Sequence, residues 1–263
     1  MFTYTFLEHA ILASLITAVV APTIGFFLVL RREALMADTL AHVSLAGVAA
    51  GILIGWNPLA TALIVATSSS LAIEHLKTKR VASEWALALF LYGSLAVAII
   101  LFSLGSNVGS KVTSFLFGNL LTVTTSDLLL MAALGAVVMA TVAFFFQPLL
   151  TLTFDETFAR TIGLPVRRLT AVLAALTAAV ITLAIPTLGV LLIGAMISIP
   201  VIAALQLRAS AFATLLTAIG IALIGTLFGL TLSLTLNIAP SGSIVLTLIG
   251  ITLLIRLSLA IKK

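Results

Sequence analysis

Apolar stretches of about 20 residues recur along the chain from one end to the other, each long enough to cross a hydrocarbon core of about 30 Å. Taking charged residues and Gly, Pro and Asn as boundaries, spans are predicted near 6–30, 35–55, 58–76, 84–104, 127–147, 169–186, 187–206, 210–233 and 243–261. The count is nine, or eight if Ile185 to Pro200 is re-entrant. No room is left for a separate water-soluble unit, so residues 1–263 read as one membrane domain. Of its residues 62% are hydrophobic and 8% charged, too few charges to cover a water-facing surface. The expected fold is therefore an all-α polytopic bundle of about 8–9 transmembrane helices with broken or re-entrant segments.

The net charge of +5 does not point to nucleic acid, because the basic residues fall in ones to threes between apolar spans and form no stripe with aromatics. They act as topology signals. Threading nine spans with the N-terminus outside puts every Lys and Arg except Lys111 on the cytoplasmic side, as the bias of short loops demands, and the C-terminus then lies inside. The first span has no basic flank, so a cleavable signal peptide is not expected. Cysteine is absent, which removes disulfides and thiolate metal sites. Trp56 and Trp85 fall at span ends, where an interfacial aromatic belt is expected.

Pro186, Gly189, Gly194 and Pro200 crowd one stretch, and a broken helix in lipid must face protein or a cavity. That stretch reads either as a kinked packing helix or as a pathway wall. Gly47, Gly51 and Gly55 repeat every fourth residue and read as a helix-packing face, as do Gly225 and Gly229.

Asp38 and His42 are the anomaly. They stand four residues apart, hence on one helix face, about 9 and 15 Å into the membrane when counted from Arg32 at 1.5 Å per residue. A carboxylate at that depth cannot face lipid and must look into the bundle or a hydrated path. Oxygen and imidazole donors suit zinc or manganese. The pair could also simply hydrogen-bond two helices together. Two ligands underfill a zinc site. A two-fold homodimer with its second helices facing across the axis would supply two more. His9 and His75, each beside a glutamate, read as interfacial.

Thr153 to Pro165 is the longest polar stretch on the predicted inner side. Thr153 or Asp155 can cap a short helix there, Gly163 and Pro165 can end it, and Phe154, Phe158 and Ile162 would form its apolar face, suited to the membrane surface or to a partner's groove. The chain has no phosphate-binding Gly-x-x-x-x-Gly-Lys-Ser/Thr loop, since Gly105 to Lys111 has the wrong spacing, and no Ser, His and acid form a catalytic set. It is read as a transport subunit and not an enzyme. Its power comes from a partner, from an ion gradient or from passive conduction.

The run Arg31 to Ala49, with Asp38-Thr39-Leu40-Ala41-His42-Val43-Ser44-Leu45-Ala46-Gly47 at its centre, resembles the signature of the metal-type ABC permease family, which imports zinc, manganese or iron. Ser114 to Leu121 resembles that family's extracellular segment, Phe154 to Arg168 its coupling helix and the turn after it, and Gly189 to Pro200 its Gly-x-Leu-Leu segment. The resemblance covers essentially the whole chain. It implies a permease homodimer in the bacterial plasma membrane, two copies of a separate ATPase, an extracellular or periplasmic metal-binding protein, and a transported metal with no permanently bound cofactor. It also implies that Asp38 and His42 contact the metal. Asp155, Ala159 and Gly163 match the coupling segment, in which Glu156 and Phe158 also lie. The wording around Asp38 is nearer the zinc branch than the manganese branch. Ala37 and Glu84 depart from the family's usual Gly and Asp, which bears on packing. A proton-coupled carrier or channel titrating the same Asp and His is the rival expectation.

Overall fold

The computed structural model describes residues 2–79, 82–104, 115–118, 123–190 and 192–261. Their helices are α1 (Phe2–Leu30), α2 (Ala34–Ile54), α3 (Pro58–Thr78), α4 (Ser83–Leu104), α5 (Thr125–Phe154), α6 (Glu156–Thr161), α7 (Val166–Leu188), α8 (Ile193–Leu205), α9 (Ala211–Leu236) and α10 (Pro240–Ile261). All but α6 and α8 are long and apolar enough to cross a membrane, eight among the described residues.

Helix starts are written locally. Asn57 caps α3 by accepting from the Leu59 and Ala60 amides at 2.9 and 3.2 Å, with Pro58 at the first helical position. Thr124 and Asp127 form a reciprocal capping box on α5. Inside the bilayer no water can satisfy a hydroxyl, so buried Ser14, Thr17, Thr177 and Thr182 each donate to the carbonyl four residues back. Ser70 instead donates across to the Ala174 carbonyl at 2.8 Å, joining α3 to α7.

Two span boundaries differ from expectation. The fifth span does not stop at Gln147; α5 runs on through Pro148 to Phe154 with its kink at Phe145 (φ −99°, ψ 15°), one turn before the proline whose ring crowds that turn's carbonyls. The seventh predicted span, 187–206, is not a full-length helix. Helix α7 continues past Pro186 to Leu188 and ends at Gly189, whose φ of +71° only glycine adopts freely. Helix resumes at Ile193 for 13 residues, about 20 Å at 1.5 Å per residue, which is short of the hydrocarbon thickness. The break is held from outside: the Val190 amide donates to the Phe115 carbonyl at 3.0 Å, and Ser241 Oγ to the Phe117 carbonyl at 2.8 Å. Residues 115–118 thus lie against the α7–α8 break and the start of α10; the rest of the 114–121 segment and Lys111 lie outside the described residues.

Several helix contacts are closest where glycine removes a side chain. At Gly47 a methyl group would stand 2.7 Å from Ala62 Cα, and at Gly51 3.0 Å from Pro58 Cα, so α2 and α3 meet backbone to backbone. Gly55 does not share that contact. It is the left-handed cap of α2 (φ +77°) with open space around it. Gly225 and Gly229 receive Leu248 and Ile244 in the α9–α10 hairpin, where Ser243 and Thr247 donate to the two glycine carbonyls at 2.7 and 3.0 Å.

Candidate metal path and coupling surface

Asp38 and His42 lie one turn apart on α2, on the only face that helix leaves open in its N-terminal half among the described residues. Its other flanks are covered by α3, α4, α7 and α8. Leu35 is 62% exposed, Asp38 is exposed and His42 half-buried, whereas Met36, Ala37, Thr39, Leu40, Ala41 and Val43 are buried. His42 Nδ1 is sequestered without a hydrogen-bond partner. Among the described residues no third His, Cys, Asp or Glu joins them to complete a metal-binding group. One chain therefore offers one carboxylate and one imidazole, open on its own surface at membrane depth.

The neighbour of Asp38 is the start of α8. A methyl on Gly194 would stand 2.9 Å from Asp38 Cγ and overlap Oδ1, so the carboxylate lies directly on the glycine's backbone. One turn further on, α8 is seated just as closely on α1: a methyl on Gly25 would overlap the Ile197 carbonyl oxygen and stand 2.8 Å from its carbon. Beyond that point α8 leaves Ser198 partly open and Ile202 46% exposed. In the sequence Gly194 was visible only as one breaker among several; a glycine inside a helix signals a close approach, but what approaches it is not local information.

At one end of the bundle the α1–α2 turn, the end of α3, α6 and the start of α7 surround a cleft of about 890 Å³ lined by Arg31, Glu33, Glu74, His75, Lys77, Glu156, Arg160 and Arg167. Lys77 Nζ lies 2.7 Å from Glu74 and 3.1 Å from Glu33, and Arg31 3.4 Å from Glu33. His75 thus lines this charged end, and His9 is half-buried on α1; neither joins the Asp38 pair. Trp56 and Trp85, 65% and 79% exposed, sit at the end of α2 and the start of α4.

The stretch around α6 departs in one respect from a single amphipathic helix. Asp155 adopts an extended conformation (φ −152°, ψ 102°) because its side chain accepts from the Phe158 amide at 2.9 Å, so the chain breaks there and Phe154 ends α5. Ile162 is the C-cap of α6. The apolar triad is thus carried by three different local structures, yet Phe154, Phe158 and Ile162 are all exposed, at 67%, 54% and 53%. Glu156 pairs with Arg160 on the helix surface, Ala159 is fully buried against the bundle, and Gly163 reverses the chain at φ +82°.

Residues 3–259 match the ABC 3 transport family. The chain is 34% identical to the "Probable metal transport system membrane protein" of Treponema pallidum, over 97% of this chain and 96% of that one. It is 30% identical to the manganese transport system membrane protein MntC of Halalkalibacterium halodurans, over 94% and 85%. Among solved structures, PsaBC from Streptococcus pneumoniae in complex with Fab superposes with a TM-score of 0.86 at 28% identity, covering 95% of this chain and 90% of that one. Near-complete coverage in sequence and in fold makes this chain a membrane permease subunit of the ABC 3 transport family.

Proposed function

We propose that this chain, as one permease domain over residues 1–263, imports a divalent transition metal, with manganese as its cargo, by alternating access in a homodimer of the bacterial plasma membrane. The observation that carries the reading is the open Asp38/His42 face of α2: a membrane-deep carboxylate that rests on α8 yet stays exposed on its other side is tolerated only against water, an ion or a second protein surface. Two copies meeting there offer two carboxylates and two imidazoles, a donor set that manganese and zinc both accept. An ion shared between two subunits is released when they part, as transport requires.

The preference for manganese over zinc comes from relatives. Those in Halalkalibacterium halodurans and Streptococcus parasanguinis are named as manganese systems, and they outweigh the zinc-like wording of one motif. Energy comes from a separate ATPase, two copies of which dock on the exposed aromatics around α6, and an external metal-binding protein delivers the ion. The charged cleft at the α6 end fits the cytoplasmic side under the positive-inside bias, with the N-terminus outside and the C-terminus within, the short α8 and the break before it carrying the chain back between α7 and α9.

Elemental analysis of cells producing this chain with its ATPase and binding protein tests the proposal. Manganese rises above zinc and iron, and the rise is lost in Asp38→Ala and His42→Ala while the complex still assembles. Undiminished accumulation in both variants would reject the site, and a rise without the ATPase would favour a proton-coupled carrier.

A further inference from the structure

We infer that Gly194 is the positioning residue for the Asp38 carboxylate: its missing side chain is the notch in which that carboxylate rests, so residue 194 sets how Asp38 is presented to the ion. The inference rests on Asp38 being a metal ligand, as proposed above.

Three observations carry it. First, the three atoms nearest a methyl on Gly194 all belong to Asp38, namely Oδ1, Cγ and Oδ2, the last at 3.4 Å. The first atoms that a side chain there would strike are therefore those of one carboxyl group. Second, the backbone of α8 is closely packed here, whereas the Asp38 side chain is exposed. Ile193, Met196 and Ile197 around Gly194 are buried, and Gly25 of α1 sits on the Ile197 carbonyl with no gap for even one carbon. The carboxylate is the far end of a flexible, exposed side chain, whereas the helix backbone is seated on α1 one turn away, so a side chain at 194 displaces the carboxylate more readily than the helix. Third, Gly194 lies in the first turn of α8, because the helix begins at Ile193. The amides of a first turn have no acceptor within their own helix, and they give that end a partial positive charge. Glycine lets the carboxylate approach this backbone more closely than any other residue would.

A carboxylate evicted from the notch turns toward the open face shared by Leu35 and His42. There it meets the imidazole, or an ion, from a different direction. Ligand orientation by a group outside the coordination sphere is the usual means by which a protein tunes a metal site, and losing such a group costs about 10- to 100-fold in affinity or activity. Gly194 acts in this way through shape.

The test uses the assembled permease–ATPase complex with its binding protein, in cells and purified. Gly194→Ala is expected to lower manganese uptake about 10- to 100-fold at parental levels of assembled complex. It is also expected to shift the ratio of manganese to zinc accumulated, which a loss of packing alone would not do. A thermal-stability cycle isolates the contact. Gly194→Ala lowers the melting temperature when Asp38 is present, and leaves it unchanged or raises it in the Asp38→Ala background, where the methyl enters vacated space and alanine favours the helix over glycine. Gly25→Ala, which strikes backbone, lowers it in both.

Unchanged uptake and metal ratio in Gly194→Ala, with Asp38→Ala inactive, would overturn this inference and leave the Asp38 site standing. An equal loss of stability in both backgrounds would make Gly194 an ordinary packing glycine and overturn it as well. Full transport by Asp38→Ala would reject the site reading itself, and the role of Gly194 with it.

Discussion

Lys77 Nζ lies 3.1 Å from Glu33 Oε1, a contact that ties the last turn of α3 to the residue just before α2, five residues ahead of Asp38. Lys77 also holds Glu74 at 2.7 Å, and the three side chains are only 13 to 16% exposed. Removing Lys77 takes away the cation that Glu33 and Glu74 share, leaving Glu33 with Arg31, whereas removing Glu74 leaves Lys77 with Glu33. Lys77→Ala is expected to destabilise the protein by about 2 kcal/mol, and Glu74→Ala by less, since unpairing a largely buried charge costs more than losing one of two partners. Thermal unfolding of the purified complex in detergent measures both, and equal effects would show that the network is too hydrated to matter.

The glycines of α2 separate two roles. Gly47→Val forces α2 away from the backbone of Ala62 and is expected to cost about 1–3 kcal/mol or more, with a matching fall in folded protein. Gly55→Ala meets no neighbour and pays only for a left-handed conformation, about 1–2 kcal/mol. Gly93, in open space within α4, accepts Ala without loss. Yield and melting temperature of the three variants give the order.

Phe158→Glu is expected to separate the ATPase from a permease that still folds, because Phe158 is 54% exposed and contributes little to the bundle. Asp155→Ala removes the cap of α6 and costs the helix about 1 kcal/mol, so it weakens attachment without abolishing it. Co-purification of the ATPase with each variant distinguishes them. Full recovery with Phe158→Glu would place the docking surface elsewhere.

At Gly189 a side chain is excluded twice, by φ +71° and by contact with residues 116–118. Gly189→Ala is expected to loosen the hydrogen-bonded seam between Phe115 and Val190 and to lower transport together with stability. Faster amide exchange at Val190 in the variant would report the loosening directly, and unaltered exchange would argue against it.

Much of this protein follows from the order of its residues. The long spans, the charged end and the Asp38/His42 pair were legible because they depend on hydrophobicity, on the cost of charge in lipid and on a 3.6-residue period, each a property of a short stretch of chain. The cap at Asp155 and the turn at Gly163 were legible for the same reason. The length of α8, the role of Gly55 and the resting place of the Asp38 carboxylate were not. The α7–α8 break moves from Pro186 to Gly189 in a contact with residues 115–118, some 70 positions away in the chain, and Gly194 meets Asp38 across an even greater separation. A helix in lipid gains little from hydrophobicity when it chooses its neighbours, so backbone approach at small residues decides the packing. Local sequence determined what the helices are and where charge is tolerated; only the tertiary structure decided which backbone each glycine meets, and so which face of α2 stays open.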